Sequence, residues 1–448
     1  MTRNAPSPPP ARRRARPTRA PRALCVAPLI VVALAGEAFA DRPELTGEAV
    51  LAVPGGQIAV HYATAGRDVP LAGDADGDGV PDFVSEVAAT AELALQHFLA
   101  LGFRRPLDDG ALGGDDRIDI YLRDLVAADG NAGVDSCAGA HCIGHISAEN
   151  DYAGYPYPSI TEGIRSVVPH ELFHLVQNAY ASGQPAAWSE GSAVWSVENL
   201  FGTGNSDFER FLPSFLTRSF RPFERAVGGF GDAYPYGAAL WPYFLEQRFG
   251  TAAVVATWLG CEQASFLDAA NTALGDTSVE DAWIEFTRWN AFTGAHAAGG
   301  AYPDARAWPE PPREPRLAAD GTIYLEGLSA RYVPLELAAT SRVRVAPDGA
   351  LRIAAWLVAD GAALGNGIEL AADGAALAAT IDAGAYTLVV TGLARNTIAT
   401  AVHITFEPPP AEGEDGDSGG CSTAGSSPAG LLAIIAVLAR RRRGLRAC

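Results

Sequence analysis

The chain has no lysine. All 33 of its basic side chains are arginines, set against 52 aspartates and glutamates across 448 residues. The formal charge of −19 understates the imbalance. Residues 1–40 hold seven arginines and one glutamate, and residues 422–448 hold five arginines and no acid, which leaves 21 arginines against 51 acids, about −30, in between. A surface of that sign repels a polyanion, so nucleic acid is excluded as a partner class. Nothing in the sequence gives the missing lysine a functional meaning. Internal repeats are also missing. With 48% hydrophobic residues over this length, the chain can bury one or two ordinary cores, which predicts more than one domain.

Long apolar runs are lacking too, and the two longest lie at the ends. "ALCVAPLIVVALAG" follows a basic, proline-rich stretch and precedes "AFA" and Asp41, the order of a secretory signal over residues 1–40. The run is shorter than the roughly 20 residues a membrane span needs, which disfavours a retained N-terminal anchor. At the other end, residues 407–448 begin with the acidic linker "PPPAEGEDGDSGG". They continue through "CSTAGSSPAG" and "LLAIIAVLA" to "RRRRGLR". This order resembles the MYXO-CTERM sorting tail of delta-proteobacterial surface proteins, whose hallmark Gly-Cys pair corresponds to Gly420 and Cys421. The resemblance implies that cell-surface sorting machinery of the outer membrane is a partner of the tail. The alternative is a plain C-terminal anchor with an arginine stop-transfer cluster. Either reading puts residues 41–406 outside the cytoplasmic membrane, secreted or held at the cell surface.

Cysteine is scarce. Of six, Cys25, Cys421 and Cys448 fall in the terminal segments, so the folded part keeps Cys137, Cys142 and Cys261. "CAGAHC" brings Cys137 and Cys142 within reach across a glycine-containing loop, and export favours a disulfide there. A small metal site with His141 competes, although two thiols and one neighbouring histidine lack the usual ligand spacing. Cys261 reads as a small buried apolar residue.

What the chain does have is a change of character near residue 311. Before it, "QIAVHYATAG" alternates as a strand, and "FVSEVAATAELALQHFLALGF" has helical spacing. "DDRIDIYLRDL" reads as a half-exposed strand, and another strand lies around "CIGHISAEN". Ser159 and Glu162 have capping-box spacing at the start of the helix "SITEGIRSVVPHELFHLVQNAY", in which Pro169 should kink or restart the turns. Further helices are "AAWSEGSAVWSVENLFG", "YGAALWPYFLEQRFG", "ASFLDAANTALG" and "VEDAWIEFTRWNAFTG". From 311 to 406, short β-like runs such as "ARYVPLEL", "LRIAAWLV" and "GAYTLVVTGL" predict a β-sandwich. The fold class expected is therefore α+β, with a mixed domain over 41–310 and a small sandwich over 311–406.

One stretch carries chemistry. In "VPHELFHLVQNAY", His170 and His174 lie four apart, which stacks them on one helix face where both imidazoles can aim at a single zinc ion. Glu171, one step round, would border the open position and can act as general base toward an attacking water. Two ligands do not make a catalytic site. Glu190, sixteen positions after His174 in "WSEGSAVW", can return on an antiparallel helix as the third, with Glu198 as the alternative ligand or orienting acid. For the oxyanion, "DAYPYGAALW" offers Tyr236, with Tyr234 close behind; both can equally be packing residues.

HELFH followed by W-x-E-G-x-A resembles the gluzincins, zinc peptidases in which a helix-borne glutamate completes the site, as in the aminopeptidase N family. The match is closer to the secreted metalloproteases of myxobacteria and their relatives. These combine "DxDGDGVPD", a strand like "IDIYL", HExxHxxQ, W-x-E-G-x-A-x-W and a Tyr-Gly helix, in this order, over about residues 60–250 here. The resemblance implies a zincin-like fold, His170, His174 and Glu190 as zinc ligands, Glu171 as base and a protein or peptide substrate. Pro169 departs from the family, as does the lack of an asparagine before Glu190, which argues against aminopeptidase specificity.

"DADGDGVPD" sets Asp74, Asp76 and Asp78 at alternating positions, with Asp82 at the ninth, like the first half of an EF-hand. Ser85 stands where the bidentate glutamate would be, so the loop is closer to a thrombospondin-type turn, and a structural calcium ion is the expectation. Together these features predict a secreted or surface-anchored zinc metalloendopeptidase. The alternative is a catalytically silent surface-binding protein whose sandwich does the work.

Overall fold

A computed structural model describes residues 41–126, 128–202, 206–225, 231–393, 395 and 398–409, with only the backbone of Ser206. The signal-like segment and the sorting-type tail lie outside the described residues. Strands β1 (Ala49–Ala52) and β2 (Ile58–Tyr62) lead into helix α1 (Asp82–Leu101), followed by β3 (Ile118–Arg123), β4 (Gly130–Ala138) and β5 (His141–Glu149). The helices α2 (Ile160–Asn178), α3 (Ala186–Phe201), α4 (Ser206–Leu216), α5 (Tyr234–Gly237) and α6 (Leu240–Phe249) come next. Then come α7 (Thr251–Gly260), α8 (Phe266–Ala273) and α9 (Val279–Asn290).

The five early strands form one sheet in the order β1-β2-β3-β5-β4. β2, β3 and β5 run parallel, whereas β1 and β4 are antiparallel to their neighbours, so β4 is an edge. Alternation sends Ile58, Val60, Ile118, Ile120, Leu122 and Ile146 to the face covered by α1 and α2, where they share a core with Val84, Val87, Leu95, Ile164 and Val168. α2 starts where its cap spacing says: Ser159 accepts a hydrogen bond from the Glu162 N–H at 3.2 Å. It then continues unbroken through Pro169, contrary to the expected restart. The helix is buried nearly all round, and packing against sheet and neighbours holds a turn that the proline weakens locally.

β3 is not half-exposed as its alternation suggests. Asp119 is 1% and Tyr121 4% exposed. On the second face of the sheet, Arg42 of the N-terminal segment enters a group of carboxylates, and the loop at Gly113 lies directly over Asp119. Its guanidinium pairs with Asp109 and Asp119, and with Asp135 at 2.7 Å. His61 bridges Glu48 (2.7 Å) and Asp119 (2.8 Å), and His145 meets Asp135 at 3.0 Å. Polar residues on this face are thus buried because each has a partner.

The hairpin of β4 and β5 carries the disulfide Cys137–Cys142. His141 is turned away from it, its Nδ1 against the Ala179 carbonyl at 3.2 Å, and Cys261 is free and buried. Beyond α9 the chain is β-structure: β6 (Gly321–Leu325), β7 (Ala330–Leu337), β8 (Ser341–Pro347), β9 (Ile353–Ala359), β10 (Ile368–Glu369), β11 (Ala371–Asp373), β12 (Ala376–Ile381), β13 (Gly384–Gly392) and β14 (Thr400–Glu407). They make a sheet β10-β9-β13-β7 and a sheet β11-β12-β8-β14-β6. The inner residues of the two, such as Val333, Leu357 and Leu388 from one and Val343, Val345 and Ile404 from the other, form a separate sandwich-like core. A small cluster of Ala291, Phe292, Tyr332, Trp356 and Val389 joins it to the helices, with the Tyr332 hydroxyl donating to the Thr287 carbonyl at 2.9 Å. The architecture is α+β. Among the described residues, no helix is long and apolar enough to cross a membrane.

Burial alone would raise the carboxylates around Arg42, but hydrogen bonds from His61 and Arg42 hold Asp119 below its ordinary value, and His145 and Arg42 do so for Asp135. A depressed folded pKa gives stability that is present above the unfolded carboxylate value, about 4, and is lost as pH falls below it. Arg42→Ala leaves buried carboxylates uncompensated. It is expected to lower stability by about 3–5 kcal/mol at pH 7 and to move acid unfolding to higher pH. Denaturant melts and an acid titration followed by circular dichroism check this; unchanged midpoints would remove the network from the supports of the fold.

Candidate metal centre

The first turns of α3 lie against the middle of α2, and the three sequence candidates meet there. The Nε2 atoms of His170 and His174 are 3.1 Å apart, and Glu190 Oε2 lies 3.3 Å from the first and 3.4 Å from the second. Donors bound tetrahedrally at 2.0–2.1 Å have edges of about 3.3 Å, so the triangle has the dimensions of one face of a zinc tetrahedron. The chemistry of the set fits as well: two imidazoles and one carboxylate leave a fourth position open.

Local packing explains the approach. A Cβ on Gly191 would come within 2.9 Å of the Ala238 carbonyl carbon and 3.0 Å of the Ala239 nitrogen. The glycine beside Glu190 therefore lets α3 touch the backbone that follows α5. That contact brings in Tyr236, whose ring stacks on His170 with centroids 5.7 Å apart and whose phenol feels the charge of Glu190. Burial, then the charges of Glu190 and Glu171, push this phenol well above its ordinary pKa, so it stays protonated as a donor. Tyr234 diverges from it: its hydroxyl donates to the Arg221 carbonyl at 3.2 Å, and its ring lies under the Arg221 guanidinium.

Glu171 is 8% exposed, and burial raises its pKa against the opposing pull of the two imidazoles. Its stem is wedged against the first residue of β4. A Cβ on Gly130 would lie 2.4 Å from Val167 Cγ1 and 3.0 Å from Glu171 Cγ, so only glycine lets the strand edge pass this close. Next to it, Asp129 accepts the Tyr157 hydroxyl at 2.5 Å. Charge is shared across the centre. Burial would lower His174, but Glu190 outweighs it and pushes the imidazole up to about 9, while the same imidazoles hold Glu190 well below the usual carboxylate range.

Glu198, the alternative ligand, takes no part in the cluster of His170, His174 and Glu190. Eight residues further along α3 is about 12 Å along the axis, beyond reach of the same point. Sequence reasoning gave no role to Gln177, although it closes the HExxHxxQ pattern, and missed Asp129, Tyr157 and Gly130. Gln177, three positions after His174, shares its face and was legible in principle; Asp129, Tyr157 and Gly130 sit in loops or at an edge with no pattern.

In the acidic loop, carboxylate oxygens of Asp74, Asp76 and Asp78 lie within 4.8 Å of one another, all exposed. Asp74 also accepts the backbone N–H groups of Gly77, Asp78 and Gly79. Asp82 stands apart, with both oxygens 3.2 Å from the Ala75 nitrogen.

Compared by sequence, no family model and no curated protein matches the chain. Among solved structures, the pre-peptidase C-terminal domain of collagenase from Bacillus anthracis is similar over 21% of this chain and 97% of its own, at 16% identity and a TM-score of 0.18. A score that low carries no argument for fold or function.

Glu198 has a chemistry of its own. It is 7% exposed, its Oε2 has no hydrogen-bond partner, and burial with Glu209, Asp304 and Glu246 nearby raises it to about 8. A carboxyl raised in the folded state is protonated there while the unfolded chain ionises, so stability falls as pH rises from about 4.5 toward 8. Glu198→Gln should remove that fall, raising the melting temperature at pH 8 and leaving it nearly unchanged at pH 4.5. Equal effects at the two pH values would contradict it.

Proposed function

We propose that this protein is a secreted or surface-anchored zinc metalloendopeptidase of the gluzincin type, with a zincin-like domain followed by an accessory sandwich. The observation that supports this most is the triangle of His170 Nε2, His174 Nε2 and Glu190 Oε2, with sides of 3.1, 3.3 and 3.4 Å. Zinc held there would supply Lewis acidity toward water and toward the carbonyl of a peptide. Glu171, buried with a raised pKa beside the histidines, receives the proton of the attacking water and hands it to the leaving amine. Tyr236, kept protonated, donates to the oxygen on which charge develops. The β4 edge passing Glu171 at Gly130 offers backbone N–H and C=O groups to an extended substrate, which fits a peptide bound in mid-chain.

The remaining assignments follow the sequence. Residues 1–40 direct export, and the tail from 407 engages cell-surface sorting machinery. Asp74, Asp76 and Asp78 hold a structural calcium ion that stiffens the turn before α1, where Asp82 caps the loop from within.

The test is digestion of casein or gelatin by the purified chain, with zinc content measured in parallel. Glu171→Gln is expected to reduce hydrolysis by about 10²–10⁴-fold with zinc retained. Glu190→Ala is expected to lose both. Zinc retained by the native chain without hydrolysis of any peptide would favour the silent binding protein instead.

A further inference from the structure

The amide of Gln177 faces two groups whose hydrogen-bonding character is fixed. Its Nε2 lies 2.8 Å from the Ser189 carbonyl, which can only accept, and 3.2 Å from Ser192 Oγ. The Ser192 hydroxyl has one proton and gives it to the Trp188 carbonyl at 2.7 Å, so toward Gln177 it also accepts; it accepts from Trp258 Nε1 as well, at 3.2 Å. The amide nitrogen must therefore face α3 and the amide oxygen must face the other way, 2.9 Å from His174 Nδ1. An oxygen there requires Nδ1 to carry the proton. In the neutral ring that leaves the lone pair on Nε2, the atom aimed at His170 and Glu190.

We infer that Gln177 is a positioning residue that fixes the tautomer of His174 and, through the same amide, clamps the first turns of α3 so that Glu190 faces both imidazoles. The inference rests on the zinc reading of the site. The reverse orientation of the amide would set its oxygen against the Ser189 carbonyl and leave His174 Nε2 protonated toward the other two donors. The arrangement is closed to water: Gln177 is 4% and Ser192 0% exposed, so no solvent molecule can replace a lost partner without opening the α2–α3 seam. Two bonds to the Trp188 and Ser189 carbonyls and one between the Gln177 and Ser192 side chains bracket Glu190, so one side chain links a ligand of α2 to the ligand of α3.

The experiment compares the zinc dissociation constants of the full chain and its variants by chelator competition. It also measures the ¹⁵N-histidine spectrum of the chelator-treated chain at a pH above the value of about 9 to which His174 is raised, where the ring holds one proton and the spectrum reports its tautomer without metal. Gln177→Leu is expected to weaken zinc binding about 10–100-fold; Gln177→Glu keeps an acceptor opposite Nδ1 but sets an oxygen against the Ser189 carbonyl, so it is expected to keep the Nδ1 proton without recovering the affinity. In the spectrum, His174 should be protonated on Nδ1 in the native chain and mixed in the leucine variant. Native affinity and an unchanged tautomer in Gln177→Leu would overturn the inference. If the leucine variant does not fold, the native spectrum decides: a proton on Nε2 overturns it and one on Nδ1 supports it. A native chain that does not bind zinc would sink the zinc reading, and the tautomer comparison would then judge Gln177 alone.

Discussion

Three electron-pair donors from two helices lie within 3.4 Å of one another in a nearly dry seam. Two imidazole lone pairs and a carboxylate so placed repel one another unless a positive charge is shared among them. Without metal that charge is a proton, which is why His174 is held up to about 9 and Glu190 is held down. A divalent ion satisfies the same demand with twice the charge and a matching size. The rest of the helical region can be read as the means of keeping this unfavourable convergence in place. Gly191 permits the backbone contact behind Glu190, the Gln177 amide ties α2 to α3, and Tyr236 closes the third side.

The mixed sheet serves that convergence from below. Its apolar face seats α2 through a continuous core, and its edge strand passes the general-base candidate at Gly130. Its other face is polar yet buried, held by Arg42 among Asp109, Asp119 and Asp135. The N-terminal segment thus acts as a covalently attached counter-ion for the sheet. The sandwich has its own core and meets the helices through a small aromatic contact. Among the described residues, its core clusters include none of the candidate metal ligands.

How much of this the sequence discloses depends on the range of the interaction. The helix face of His170 and His174, the Ser159 cap and the alternating runs after 311 follow from local periodicity and are legible. β4 is not: "GNAGVDSCA" has little strand preference and is a strand because β5 pairs with it. The half-exposed reading of β3 fails for a related reason, since Arg42 lies 77 residues from Asp119 in the chain. α4 carries Pro213 in its interior and α7 begins directly after Gly250, and the sequence patterns pick out neither as a helix. At the centre, spacing could not separate Tyr234 from Tyr236, because the turn that splits them is set by contacts with α3 and Arg221. Helix rise alone could have removed Glu198 from contention.

The central claim is that the seam between α2 and α3 binds one divalent ion through two imidazoles and one carboxylate. X-ray absorption at the zinc edge on the purified, zinc-loaded protein measures this most directly. The account predicts one equivalent of zinc with only nitrogen and oxygen neighbours at about 2.0–2.1 Å, two of them imidazole. Sulfur in the coordination shell, or no zinc retained after exhaustive dialysis, would contradict it.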